Sequence, residues 1–483
     1  MSDLAEAPGL FDRALRRVAS LWREMAGSGG AEDGDGFAAR MRACLDARGG
    51  EVSARARAAG LAESYLAADR DGREGFLRAL ASFDADGDAV TAAWHRVAAA
   101  DGVAERAAAK ARLRRALEPP RMRLLTQFTA IPDGVKFVVD LRADLLAAMT
   151  GDPMLEALEA DLRTLLASWF DVGFLELRRI DWASSAALLE KLVQYEAVHR
   201  IRTWRDLKNR LDSDRRCYAF FHPRMPEEPL IFVEVALVKG LADTVQRLLD
   251  EKAPLLDPKA ADTAIFYSIN NCQRGLDGIS FGNFLIKRVV SLLSAEFGNL
   301  KTFATLSPIP GFRRWMEERI AAADPALLTE EEAAALRAVA PADPALPPPD
   351  AQHALLPPAR ETPPQTLARI LARRAVARQD AVAKLLDPVL LRATARYLLA
   401  ESPRGRAKRA RDPVAHFHLS NGARVERLNP RGDLSEKGWR ESAGVMVNYL
   451  YDPARIEEYH EDYAGDGRRA ASSGVRKLAK GFV

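Results

Sequence analysis

With 483 residues, 48% of them hydrophobic and 28% charged, the chain is long enough for two or three domains and a substantial core. A formal net charge of only +3 gives no reason to expect a nucleic-acid or membrane partner. Three scattered cysteines, Cys44, Cys217 and Cys272, are too few for a disulfide framework or a Cys-rich zinc site. A reducing compartment, the cytoplasm, is therefore expected, since the N-terminus has early acids and no long apolar run, and no stretch approaches the roughly 18 apolar residues of a spanning helix.

From Leu10 to about Leu166 the apolar residues recur at helical spacing, first at Phe11, Leu15, Val18, Leu21 and Trp22, then over 54–68, 105–117 and 141–149. A glycine-rich loop, Gly27 to Gly36, separates the first helices, and Pro132 to Gly134 forms a turn. Asp69 and Asp71, and again Asp84, Asp86 and Asp88, start like calcium loops. The twelfth positions are Leu80 and His95, which cannot complete the coordination, so helix caps are expected and no metal.

Near Trp169 aromatic and β-branched residues increase, which divides the chain into a helical domain, 1–168, and a mixed domain, 169–483. Ser184 and Ser185 are placed to cap a helix. Cys217–Phe221 and Leu230–Leu237 read as strands joined by HPRMPEEP, a connection stiffened by three prolines, where His222 either fixes the turn or faces a ligand.

The most informative stretch, Thr263 to Phe312, reads as strand, glycine loop, helix, strand and a proline-constrained turn carrying Ser307. Gly275, Gly278 and Gly282 either serve the turn or let backbone N–H groups approach an anion, with Lys287 and Arg288 adding charge. Beyond it come a helix at RRWMEERIAAA, a capping box at Thr329 and Glu332, a proline-rich loop over 341–364, and helix from Thr366 to Leu399 broken near Pro388. Asp412–Asn429 reads as two strands around the turn Ser420-Asn421-Gly422, 444–452 as a last strand, and His460 as a surface histidine. On a strand, His416 and His418 would share one face, so spacing alone does not separate them.

Taken together, LKNRLDSDRRCYAFFHP, HPRMPEEPLIFVEVAL, QRGLDGISFGNFLIKRVV, LSPIPGF and HFHLSNGA resemble, in order, the malonyl-CoA decarboxylase family, over about Phe128 to Tyr451. The resemblance implies an α+β multidomain protein: an N-terminal all-helical domain, then a catalytic domain of acetyltransferase-like (GNAT-like) mixed α/β fold. It implies that the loop near 273–283 carries the pyrophosphate of coenzyme A, with Asp277, Gly278, Ile279, Ser280, Phe281, Gly282 and Asn283 on the substrate. Animal relatives tend to have Glu where this chain has Ser280, so no carboxylate role is carried over there. Ser307 becomes the proton acceptor and carboxylate-binding group, His418 the proton donor, Tyr451 and His416 supporting residues. Malonyl-CoA is the implied substrate, and like subunits are expected to pair as a dimer or tetramer through the helical domain.

Losing carbon dioxide from a malonyl thioester needs no separate cofactor, because the thioester carbonyl receives the electrons; coenzyme A belongs to the substrate. The protein has to hold the carboxylate, stabilise the enolate and protonate the α-carbon. The basic run Arg404 to Arg411 is either a solvated loop or a contribution to holding coenzyme A phosphates. A CoA-dependent N-acyltransferase of the same fold, and a non-catalytic acyl-CoA-binding scaffold, are the competing functions.

Overall fold

The computed structural model describes residues 36–46, 50–279, 284–340, 361–375 and 379–482. The expected first helix around Phe11 to Trp22, the glycine-rich loop before Gly36, Ser280 to Asn283 and most of the proline-rich loop lie outside the described residues. The described chain forms two compact units, one of Met1–Leu177, Phe220–Ile231 and Asn271–Phe281, the other of Arg178–Ala219, Phe232–Asn270 and Gly282–Val483.

In the first unit, helices pack around an aromatic core in which the Tyr65 ring meets Phe76 and Phe137, and Phe137 meets Phe128. Asp69 and Asp86 are N-caps: the Asp69 carboxylate accepts the Gly72 N–H at the start of the helix Arg70–Ala81, and Asp86 accepts those of Asp88 and Ala89 in Gly87–Ala99. Among the described residues no cluster of three His, Cys, Asp or Glu side chains could hold a metal ion. The helices Gly87–Ala99 and Val103–Ala116 pair with one another but bury little beyond Ala93 and Ala109, leaving Trp94 57% and Val103 89% exposed.

The connection at His222 is shorter than its prolines suggest. Strand β2, Arg215–His222, turns at Pro223 and Arg224 directly into β3, Met225–Val238, which takes in Pro226 and Pro229 near its start. His222 serves this turn: its Nδ1 accepts the Arg224 N–H at 3.1 Å, and its Nε2 lies 3.2 Å from the Trp169 carbonyl oxygen.

The remaining strands are β1 (Glu176–Ile180), β4 (Thr263–Asn271), β5 (Thr302–Thr305), β6 (Arg424–Asn429) and β7 (Met446–Leu450). All seven form one mixed sheet in the order β1-β2-β3-β4-β5-β7-β6. Between the parallel strands β4 and β5 the chain runs through the helix Phe284–Glu296. Strand β7 lies antiparallel between β5 and β6. Alternation sorts the side chains by face. Ile265, Ala304, Leu306 and Met446 enter an apolar core with Ala236, Val245, Leu248 and Tyr267. The intervening residues Thr305, Ser307, Val447, Tyr449 and Tyr451 take the other side.

Three local expectations are corrected. The segment bearing His416 and His418 is a helix, Pro413–Ser420, not a strand. Asp412 caps it through the N–H groups of Val414 and Ala415, and Pro413 occupies its first turn, an N-terminal signature that outweighs the aromatic alternation of HFH. Gly422, at φ +77°, follows its end instead of turning a hairpin. The helix expected over 366–399 is two helices, Pro363–Leu371 and Asp380–Leu399, and Pro388 lies within the second. His460 is only half-exposed, its Nδ1 lying 2.7 Å from the Ser420 carbonyl oxygen. No described helix is long and apolar enough to cross a membrane.

Candidate active site

Ser307 follows β5 and is held by an antiparallel bridge to Val447: its N–H donates to the Val447 carbonyl at 2.8 Å and its carbonyl accepts the Val447 N–H at 3.0 Å. The backbone on both sides of the Ser307 hydroxyl is therefore fixed by the sheet. Ser307 Oγ lies 3.1 Å from His418 Nε2 and 2.9 Å from Thr305 Oγ1. His418 Nδ1 lies 2.7 Å from the Tyr451 hydroxyl, and its ring stacks on Tyr449 at a centroid distance of 4.4 Å. Strand alternation explains the cluster, because Ser307 and Thr305 share a face with Tyr449 and Tyr451 on the neighbouring strand.

The helix supplies the imidazole. Residues two apart on a helix point about 200° apart around its axis, so His416 and His418 face opposite ways. His418 is buried against Ser307 and the two tyrosines. His416 is half-buried, with Nδ1 2.8 Å from the hydroxyl of Tyr463. Helical geometry thus separates two histidines that a strand would have left equivalent.

Burial sets the electrostatics. It holds the His418 imidazole down at about 3, so the ring is neutral near pH 7, and raises the Tyr449 and Tyr451 phenols well above their ordinary value. His416 is also lowered, by burial and then by the charges of Arg409 and Arg406. At the N-terminus of the His418 helix, burial lifts the Asp412 carboxyl to about 6 against the pull of its N–H donors. Asp412 also accepts the Gly311 N–H, at 3.4 Å, from the turn that follows Ser307.

The glycine segment Asn271–Phe281 belongs to the first unit. There Gly275 has a packing reason to be glycine: a Cβ would stand 1.7 Å from the Val139 carbonyl oxygen of the helix Gly134–Ala148. The buried Arg142 guanidinium of that helix donates to the carbonyls of Gly275 at 2.6 Å and Asp277 at 3.0 Å, and pairs with Glu159 at 2.5 Å. Gly278 differs, with φ +75° and open space where a Cβ would be. Asp277 is exposed and Ile279 is 8% exposed, while Ser280, Phe281, Gly282 and Asn283 lie outside the described residues.

Thr305, Tyr449, Asp412 and Arg142 were not singled out in the sequence. The first two were accessible by counting by twos from Ser307 and Tyr451, and Asp412 from the Asp-Pro start of a helix; nothing in the sequence pairs Arg142 with a segment more than 130 residues away.

Models of the malonyl-CoA decarboxylase N-terminal and C-terminal domains match residues 83–170 and 173–482. The mitochondrial malonyl-CoA decarboxylase of Anser anser anser is 35% identical over 375 residues, 75% of this chain and 70% of that protein. The crystal structure of malonyl-CoA decarboxylase from Rhodopseudomonas palustris is similar at TM-score 0.79 and 40% identity, covering 92% of this chain and 100% of that one. That from Agrobacterium vitis gives 0.78 and 37%, covering 92% and 99%. Both domain models in order, and relatives aligned over most of both chains, show that the chain belongs to the malonyl-CoA decarboxylase family.

Proposed function

We propose that this protein converts malonyl-CoA to acetyl-CoA and carbon dioxide through a centre formed by Ser307 and His418. The observation that carries the reading is the buried 3.1 Å contact between these two side chains, each from a segment that matches the family. As the bond between the α-carbon and the carboxylate breaks, its electron pair moves into the thioester carbonyl and carbon dioxide leaves. Ser307 holds the carboxylate by hydrogen bonding beforehand; within the relay its oxygen accepts a proton from His418 as its own hydroxyl proton passes on. His418 supplies the proton that the α-carbon takes up.

The low proton affinity of His418 gives this step a definite order. Near pH 7 burial keeps the imidazole neutral; a malonyl carboxylate brought to Ser307 places a negative charge beside it and raises its proton affinity. Substrate and one solvent proton then enter together. That proton ends on the α-carbon, and the imidazole returns to its neutral form. The proton balance closes without a metal or organic cofactor, because the thioester is the electron sink.

We assign the acetyltransferase-like fold to 169–483, supported by the crossover from β4 through a glycine segment and helix into parallel β5. In this reading Asp277 to Asn283 carry the coenzyme A pyrophosphate, and coenzyme A would slow amide exchange across that segment. Residues 1–168 are assigned to contact between like subunits, since a helix pair burying little beyond two alanines, with Trp94 and Val103 exposed, is marginal by itself. Sedimentation as a dimer or tetramer that Trp94→Glu reduces to a smaller species is expected; a wild-type monomer at high concentration would refute this assignment. Three buried cysteines, none of them in a disulfide, fit a cytoplasmic location.

The direct test is carbon dioxide release and acetyl-CoA formation from malonyl-CoA alone. Stoichiometric turnover, unchanged by prior dialysis against a chelator, is expected. Acyl transfer to amines without carbon dioxide would establish the acyltransferase function instead.

A further inference from the structure

We infer that Thr305 is a positioning residue for the decarboxylation, holding the Ser307 hydroxyl against His418 and allowing its hydrogen-bond direction to reverse. The inference rests on the decarboxylase reading and on geometry at one rung of the sheet. Strand β5 pairs with β7 at Ala304 and Leu450, and the same register reappears at Ser307 and Val447, which exchange both backbone hydrogen bonds. In an antiparallel ladder the next mutual pair would be Thr305 with Tyr449. That rung is altered. The Tyr449 N–H donates at 3.1 Å to the Thr305 side-chain oxygen, while the Thr305 carbonyl accepts the Asn448 side-chain amide at 2.7 Å. A threonine hydroxyl thus takes the place of a main-chain acceptor, and the sheet itself fixes its position. Thr305 is fully buried.

A hydroxyl has one donor and two acceptor sites. Once the Tyr449 N–H occupies one acceptor site of Thr305, its remaining lone pair and its proton can both address Ser307 Oγ, 2.9 Å away. At the far end of the line, the Tyr451 hydroxyl stands in the same relation to His418 Nδ1. Two hydrogen-bond directions are therefore open to the row Thr305, Ser307, His418, Tyr451.

In one direction Tyr451 donates to Nδ1, Nε2–H donates to Ser307, and Ser307 donates to Thr305. In the other, Thr305 donates to Ser307, Ser307 to Nε2, and Nδ1–H to Tyr451. Each arrangement leaves one terminal hydroxyl proton without an acceptor among the described residues, Thr305 in the first and Tyr451 in the second, so neither is favoured by a complete set of partners. A row of this kind lets Ser307 act as acceptor from His418 and as donor to it. A proton relay that is reset every turnover uses both.

The test compares Thr305→Val, which keeps the shape and removes the hydroxyl, with Thr305→Ser, which keeps the hydroxyl, each in the full chain. Thr305→Val is expected to lower kcat about 10- to 100-fold with KM little changed, because a displaced Ser307 hydroxyl affects the chemical step more than binding. Thr305→Ser is expected to restore most of kcat. A kcat for Thr305→Val equal to wild type, or a Thr305→Ser variant as impaired as Thr305→Val, would overturn the inference. If the valine variant does not fold, Thr305→Ala is judged by the same two criteria against Thr305→Ser. Absence of carbon dioxide release by the wild type would instead refute the decarboxylase reading; normal wild-type turnover with fully active Thr305→Val would refute only the role of Thr305.

Discussion

The face shared by β5 and β7 and the glycine segment before the helix Phe284–Glu296 both stand out in the sequence as functional, and they owe their residues to different causes. At Ser307 the surrounding structure is arranged about a side chain: two backbone bonds fix the residue, and Thr305 and His418 approach its hydroxyl. At Gly275 the structure is arranged about the lack of one, because a helix backbone occupies the space. A glycine that resembles a ligand-binding residue is here required for packing, and a serine before proline that resembles a turn former lies against a buried imidazole. Residue type names candidates; the neighbours decide between them.

The largest effect should come from the two histidines of one helix. His418→Gln is expected to lower kcat roughly 10²- to 10⁴-fold, the range for loss of a positioned acid or base, whereas His416→Gln should leave kcat near wild type. Equal losses in steady-state assays of the two folded variants would remove the distinction between the two helix faces.

Next in size is the contrast between two glycines. Gly275→Ala forces a Cβ into the Val139 carbonyl and should cost ~3 kcal/mol or more in urea unfolding. Gly278→Ala meets no neighbour and carries only the left-handed backbone penalty, about 1–2 kcal/mol. If Gly278→Ala is the more destabilising, the packing explanation for Gly275 fails.

A smaller effect lies in pH. Burial holds His418 down at about 3 and His199 at about 4, so between these values and the ordinary histidine value of 6.5 the unfolded chain binds more protons than the folded one. Stability should therefore be fully retained above 6.5 and fall as pH drops below it, by at most ~1.4 kcal/mol per pH unit per histidine. Asp412, raised to about 6, works in the opposite sense below that value and reduces the slope. The difference between urea midpoints at pH 5 and 7 should shrink in His418→Gln, His199 still contributing; an unchanged difference would show that His418 is not a group responsible.

Much of the architecture was legible because local chemistry and tertiary structure agree. Ser185 caps its helix, Thr329 and Glu332 form their capping box, and β5 leads into Ser307 as alternation and the proline turn indicate. Misreadings arose where one local signal hid another. Aromatic alternation in HFHLS masked the Asp412-Pro413 helix start, and two prolines in β3 disguised a tight hairpin as a long connection. Of the site, Ser307 and His418 were reachable through motifs, but their approach was not, since 111 residues separate them. Thr305 was hidden for another reason: its significance comes from one altered rung of a ladder, which depends on strand register and leaves no trace in residue type.

The central claim, that Ser307 and His418 act as one unit, is tested most directly by kcat for Ser307→Ala, His418→Ala and the double variant with malonyl-CoA. If the two share one relay, either substitution abolishes it, and the double variant should be no slower than the slower single variant. Losses that multiply in the double variant would show two residues acting independently, and would contradict the relay.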